Sequence, residues 1–303
     1  ADYLDADLSA LGSMSLGRPN AGAMVNAVQM PTSDNWELID PDRSWATQET
    51  VEYLSHAIDR VVAEHGQDHP LWIGHLSRRH GGVLRPHRSH QSGRDVDISY
   101  YYLPDMNPGW YQRASSRTLD VVRTWAFIKA LVTDTDVEYI FIDRSVQKVL
   151  REHALEEGED PKWLESIFQY RSVHPAPLVR HVWGHATHIH IRFHNPRAQE
   201  MARRAHPLLK ERKMLKEHGY ATRYRAEGED DLEALAERFG TTVQRIVAAN
   251  GPRALHMKAG MVYSVPTRGN VRQQLEQECP ERRLPPPRKA GSRVHAVAAP
   301  EPR

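Results

Sequence analysis

The sequence predicts an α+β fold: a small antiparallel sheet with flanking helices, followed by a separate βααβ module. Three observations carry this. Residues 95–101 and 187–194 each alternate polar and apolar side chains with period two, as half-buried strands do. Residues 47–66 and 115–133 instead repeat apolar residues at helical spacing. From residue 224 to 266 the pattern changes to two short amphipathic helices between two strand-like runs.

Residues 1–46 are rich in Gly, Pro, Asn and Ser and read as an irregular arm wrapping the core. The helix at 47–66 carries Val51, Leu54, Ile58 and Val61 on one face, and Gly66 stops it. Residues 71–74 form a short buried strand, and Gly81-Gly82 a turn. In the strand at 95–101, Asp95, Asp97 and Ser99 share one face, while Val96, Ile98 and Tyr100 share the other. A loop at 104–109 leads to the helix at 115–133, with Leu119, Val122, Trp125, Ala126 and Leu131. A strand at 137–142 and helices at 145–157 and 161–170 follow, the last with proline in its first turn. After a loop at 171–182, the strand at 187–194 turns His188, His190, Arg192 and His194 one way and Ile189, Ile191 and Phe193 into the core. This gives a first domain over 1–205, a basic linker or docking helix at 206–223, the βααβ module at 224–266 and a disordered, proline-rich tail at 267–303.

Composition narrows the function. Formal net charge is +1, so no nucleic-acid partner is implied. Mean hydropathy is −0.64 and no apolar run reaches the length of a membrane span. Cys279 is the single cysteine, which excludes an intramolecular disulfide and a cysteine-based metal site. Histidine and carboxylate remain as the available metal ligands.

Five of the 18 histidines lie between residues 181 and 194. With so many histidines, a His-x-His pair alone is weak evidence of metal binding. The pair His188/His190 gains weight from a second segment, Ser89-His90-Gln91-Ser92-Gly93-Arg94-Asp95-Val96-Asp97. Gly93 permits a tight bend that returns His90 towards Asp97. His90, Asp97 and one of the two later histidines then make a three-ligand site with an open position for water, the arrangement of catalytic zinc. The other histidine would face that water as general base or electrostatic clamp. His65, His69, His75 and His80 read as surface or structural. Asp95 is open between a turn-capping carboxylate and a partner to the ligands.

These residues resemble the penicillin-insensitive murein endopeptidases, themselves similar to the lysostaphin-type and D-Ala-D-Ala-type zinc peptidases. The resemblance rests on residues 89–97 with His188-Ile189-His190, on Leu16-Gly17 and Asn20-Ala21-Gly22-Ala23-Met24, and on Tyr139-Ile140-Phe141-Ile142-Asp143 with Trp163-Leu164. It spans most of residues 10–195. It implies Zn2+ held by His90, Asp97 and His190, with His188 and His185 catalytic and His87 a further cleft histidine. His181 and Arg94 would border the cleft. The implied reaction is cleavage of D-alanyl–diaminopimelyl cross-links in peptidoglycan, outside the cytoplasm, most simply in the periplasm after removal of a signal peptide. Two departures stand out: familiar members carry several cysteines, and the stretch from Tyr170 to Trp183 is longer here.

The later module resembles a LysM repeat through Leu232, Leu235, Ala236, Phe239-Gly240-Thr241, Ile246, Asn250, Gly260 and Val265-Pro266. That implies binding to N-acetylglucosamine-containing glycan strands. Two other functions fit the same residues: a D,D- or L,D-carboxypeptidase trimming stem peptides, and a non-catalytic peptidoglycan-binding protein whose zinc is structural, closed by His185 or His87 as fourth ligand.

Overall fold

The computed structural model describes residues 8–106, 109–212, 219–228 and 230–268. In chain order its elements are β1 (Met14–Arg18), β2 (Ala21–Val25), β3 (Val28–Gln29), β4 (Trp36–Leu38), β5 (Trp45–Ala46), α1 (Gln48–His65), β6 (Leu71–Ile73), β7 (Asp95–Ile98), α2 (Val121–Asp134), β8 (Val137–Phe141), α3 (Arg144–Glu156), α4 (Pro161–Ile167), β9 (Val179–Arg180), β10 (Ile189–Phe193), α5 (Pro196–Glu211), β11 (Gly219–Arg225), α6 (Leu232–Arg238), α7 (Val243–Asn250) and β12 (Val262–Arg268).

The α+β class stands, but the sheet is larger and more mixed than expected. Six strands run in the order β4-β6-β7-β10-β8-β9. The four central strands pair antiparallel, and the two edge pairs, β4–β6 and β8–β9, are parallel. Parallel neighbours need a crossover connection, and α1 links β4 to β6 while α3 and α4 link β8 to β9. Edge strands of two or three residues are too short to show a period, which is why the sequence pattern misses them.

The expected irregular arm is also corrected. Its described part contains the β1–β2 hairpin, in register from Met14↔Val25 to Arg18↔Ala21, and β4 joins the main sheet. The hairpin supports the loop before β7: Ser15 Oγ donates to Ser92 O at 2.8 Å. A Cβ on Gly22 would come within 2.7 Å of Ser92 Cβ, so that contact needs glycine.

Helix α1 begins where Thr47 Oγ1 accepts the Thr50 N–H, and Gly66 ends it at φ +67°. Helix α2 starts at Val121 rather than at 115. Ser115 and Thr118 close a turn of their own, and Asp120 Oδ1 caps the helix by accepting the Arg123 N–H at 2.9 Å. The two helices bury Leu54, Ile58, Val61, Phe127, Ile128 and Leu131 against Val96, Ile98, Ile140, Ile189, Ile191 and Phe193 in one core. Truncating such a fully buried aliphatic residue to Ala costs about 2–5 kcal/mol. One sheet face is thus given to packing, which leaves the opposite face, with Asp95, Asp97 and His190, for chemistry.

Helix α5 continues past residue 205, where the sequence reading ends the first domain. It packs Ala202, Ala205 and Leu209 on Met14 and Leu16. Buried Glu49, from α1, accepts the N–H groups of Arg197 and Ala198 and so caps α5 from another helix.

In the second module β11 pairs antiparallel with β12 over seven residues, with α6 and α7 between them in sequence, a βααβ unit. Its core holds Leu232, Leu235, Ala236, Ile246, Tyr263 and Val265. Asn250 ties α7 to β12: its amide donates to Ser264 O, and its Oδ1 accepts the Ser264 N–H. The first strand begins at Gly219 rather than 224. Of the tail expected at 267–303, Thr267 and Arg268 belong to β12 and the remainder lies outside the described residues.

Candidate metal centre

Strands β7 and β10 lie side by side with His190 opposite Asp97 and Arg192 opposite Asp95. The alternation expected from sequence therefore places two carboxylates next to an imidazole and a guanidinium on one face. His90 reaches that face from the preceding loop. Its backbone is left-handed at φ +66°, and its N–H donates to Asp95 Oδ2 at 3.0 Å. Gly93, at φ +72°, completes the bend, and a Cβ there would fall 2.0 Å from Met24 Sδ.

The three expected ligands converge. His90 Nε2 is 3.2 Å from His190 Nδ1 and 3.4 Å from Asp97 Oδ1, and His190 Nδ1 is 2.8 Å from the same oxygen. A tetrahedral cation with bonds of about 2.0–2.2 Å separates its ligand atoms by about 3.4 Å. The cluster is close to that triangle. Tautomers support the fit. His90 Nδ1 donates to Leu76 O at 2.7 Å, leaving Nε2 with its lone pair towards the cluster. His190 Nε2 faces Asp95 Oδ1 at 3.2 Å, which makes Nδ1 the inward nitrogen. Hydrogen bonds of this kind, to the outer nitrogen, orient imidazole ligands. His90, Asp97 and His190 therefore fit a divalent metal.

Electrostatics follow from the packing. Burial alone would raise the Asp95 and Asp97 carboxyls, but the neighbouring cations and hydrogen bonds win and hold both below the usual carboxylate range. Burial would lower His190, yet its hydrogen bonds to the two carboxylates raise it to about 9. Metal binding must displace that proton.

His87 joins this group more closely than the sequence implies. His87, His90 and Asp97 form an overlapping set of donors within 4.8 Å of one another, and His87 Nδ1 is 3.3 Å from Asp97 Oδ2. Its other nitrogen is 2.7 Å from Nδ1 of His75. His75, read from sequence as surface or structural, thus touches the cluster through His87. The signal for it is slight, a histidine just past a short strand.

His188 lies beside the cluster, with Nε2 3.9 Å from Asp97 Oδ1. Its Nδ1 is 3.1 Å from the Thr187 hydroxyl, which itself donates to Gly184 O, so Nε2 is the nitrogen left for a proton. Burial pushes its pKa down to about 4, against the pull of Asp97. The Tyr111 ring stacks on it at 5.1 Å between centroids, and Tyr111 is 54% exposed with φ +70°. Tyr111 is a second residue that sequence reasoning missed, since nothing in its loop has a period. His185 is 4.7 Å from His188 between ring centroids, is lowered by burial, and points Nδ1 at Val182 O.

Asp95, left open by the sequence, is fully buried and bound to His190, His90 and Arg192. His181 Nδ1 accepts the Arg144 N–H at the start of α3, and Arg94 is buried beside Ser92 and Glu138. The ladder slips between Arg192 and Phe193, so His194 leaves the polar row and is buried, its N–H on Asp136 O.

The chain is similar to known proteins of one family. A family model described as penicillin-insensitive murein endopeptidase matches residues 15–219. A penicillin-insensitive murein endopeptidase of Yersinia enterocolitica is 26% identical over 193 residues, covering 58% of this chain and 64% of the relative. Those of Yersinia pestis and Salmonella paratyphi B are 30% identical over 160 residues and 26% over 202, covering 47% and 61% of this chain and 52% and 67% of the relatives. The chain thus spans between about half and two thirds of the length of the relatives it matches.

Proposed function

The chain belongs to the penicillin-insensitive murein endopeptidase family, and from that membership and the donor cluster we propose that it is a zinc-dependent endopeptidase of peptidoglycan. The bond cut is the D-alanyl–diaminopimelyl cross-link, and the site of action is outside the cytoplasm. No helix among the described residues is long and apolar enough to cross a membrane. The observation that carries the reading is the convergence of His90, Asp97 and His190 with a neutral, buried His188 beside them.

When bound there, zinc supplies Lewis acidity towards the scissile carbonyl and acidifies water. His188 Nε2 takes the proton of the attacking water and returns it to the leaving amine. His185, next to His188, orients the tetrahedral intermediate through Nε2, its Nδ1 being turned to Val182 O. Asp95 holds His190 in its ligating tautomer. The βααβ module is read as LysM-like and would hold the enzyme on glycan strands, raising its local concentration at cross-links.

The test is mass spectrometry of purified sacculi digested with zinc-loaded protein. Monomeric muropeptides should replace cross-linked dimers, and a chelated control should leave dimers intact. Dimers that persist in both arms reject the assignment, and loss of terminal D-alanine alone points to a carboxypeptidase.

A second reading is favoured by His87. With a third protein nitrogen so close to Asp97, His87 would be a fourth ligand, the site closed and the metal structural. X-ray absorption of the zinc-loaded protein separates the two, since a closed site shows only protein ligands and no turnover accompanies it.

A further inference from the structure

One cross-strand row of the sheet reads Asp97, His190, Phe141, Arg180, each opposite the next on β7, β10, β8 and β9. Residues level with one another share a face. The row therefore runs from the metal cluster to the sheet edge, and Arg180 lies two strand spacings, about 10 Å, from His190. Between them is an aromatic floor. Phe141 stacks on His190 at 5.2 Å and on Tyr139 at 6.0 Å, and the Arg180 guanidinium lies 4.1 Å over the Tyr139 ring.

The second arginine near this floor, Arg192, is committed elsewhere, with Nε on Asp95 Oδ1 at 2.7 Å. Arg180 differs. Its Nε donates to Pro177 O at 2.9 Å, and it has no ion pair among the described residues. Four N–H donors of a rigid planar fork remain. A partly buried cation without a countercharge is unfavourable, and a fork of this shape matches a carboxylate in two parallel hydrogen bonds. Burial, stacking and the Pro177 bond fix its orientation before any ligand arrives.

We propose that Arg180 is a specificity-determining residue that binds a free carboxylate of the peptide substrate beside the scissile bond. This rests on the peptidase reading above. In a cross-link to diaminopimelate, the amine side of the cut bond carries such a carboxylate on the carbon next to the nitrogen, and Arg180 selects for it.

The experiment uses the zinc-loaded full chain and two cross-linked muropeptide dimers, one with the diaminopimelyl carboxylate free and one with it amidated. Binding is measured by calorimetry in a His188→Ala background, so that turnover does not interfere, and kcat and KM are measured with His188 intact. Arg180→Gln should weaken binding of the acid about ten- to a hundredfold, raise KM correspondingly, leave kcat nearly unchanged and leave the amide unaffected. Arg180→Lys should fall between. An unchanged melting temperature and zinc content show that the variant is folded. Equal binding of acid and amide by the parent protein, or an equal loss for both in Arg180→Gln, overturns the inference even if dimers are cleaved. Discrimination in binding without any cleavage leaves Arg180 as a carboxylate site and rejects the peptidase reading. No binding of either dimer overturns both.

Discussion

Asp95 Oδ1 faces His190 Nε2 at 3.2 Å while its Oδ2 accepts the backbone N–H of His90 at 3.0 Å. One buried carboxylate thus joins His90 and His190, which lie a hundred residues apart. Asp95→Asn keeps the shape but weakens the hold on the His190 tautomer. Zinc affinity, measured by competition with a chromophoric chelator, should drop about 10–100-fold. An unchanged affinity would show that strand pairing alone orients His190.

His190→Ala and His188→Ala should separate binding from chemistry. The first removes a donor and should abolish stoichiometric zinc in the purified protein. The second should retain zinc and lower turnover of cross-linked muropeptides about 10²–10⁴-fold. Equal zinc loss in both variants would make His188 a ligand.

Gly93→Ala forces a Cβ into Met24 and a side chain onto a left-handed backbone. It should lower stability by at least about 1 kcal/mol and weaken zinc binding, because the bend carries His90. Chemical denaturation with and without zinc checks both effects. A Gly93→Ala, Met24→Ala double variant should recover only the part due to the clash.

Acid stability has one identifiable source away from the site. Burial would raise the Asp134 carboxyl above its ordinary 3.8, but hydrogen bonds from Thr133 and Arg60 outweigh it and the pKa is lowered. A carboxyl lowered on folding stabilises the protein above its unfolded pKa, and that contribution fades as pH falls through the folded value. Asp134→Asn should therefore be less stable than the parent at pH 7. The gap should hold down to about pH 4 and close below it, as read from urea midpoints along a pH series.

Leu235→Ala should empty part of the small core around Ile246 and Val265. The loss of about 2–5 kcal/mol is enough to unfold a unit of this size. If the module holds glycan, the full-length variant should bind purified sacculi more weakly while cleaving small soluble dimers as the parent does. Undiminished sacculus binding would remove the module from substrate capture.

Short-range rules account for much of what was foreseen. Period two placed the residues of 95–98 and 189–192 on the core or the site face, because a strand allows only two directions, but it failed at His194, beyond the slip after Arg192. Ile189, Ile191 and Phe193 are fully buried, and Asp97 faces His190, as that rule requires. Helical spacing likewise located α1, α6 and α7. The rule fails where elements are too short to repeat. Thus β4 and β9 were invisible, and with them the parallel edges of the sheet and the place of Arg180.

The amino-acid sequence by itself narrowed the candidate ligands to histidine and carboxylate: one cysteine, many histidines, and two motifs whose residue types suit a metal. Which of them meet was decided by the tertiary structure. Asp95 contacts His190, His90 and Arg192, and His75 and Tyr111 reach the cluster through His87 and His188. Such contacts join residues far apart in the chain. Their distances depend on strand register and loop conformation, which local residue preferences do not encode.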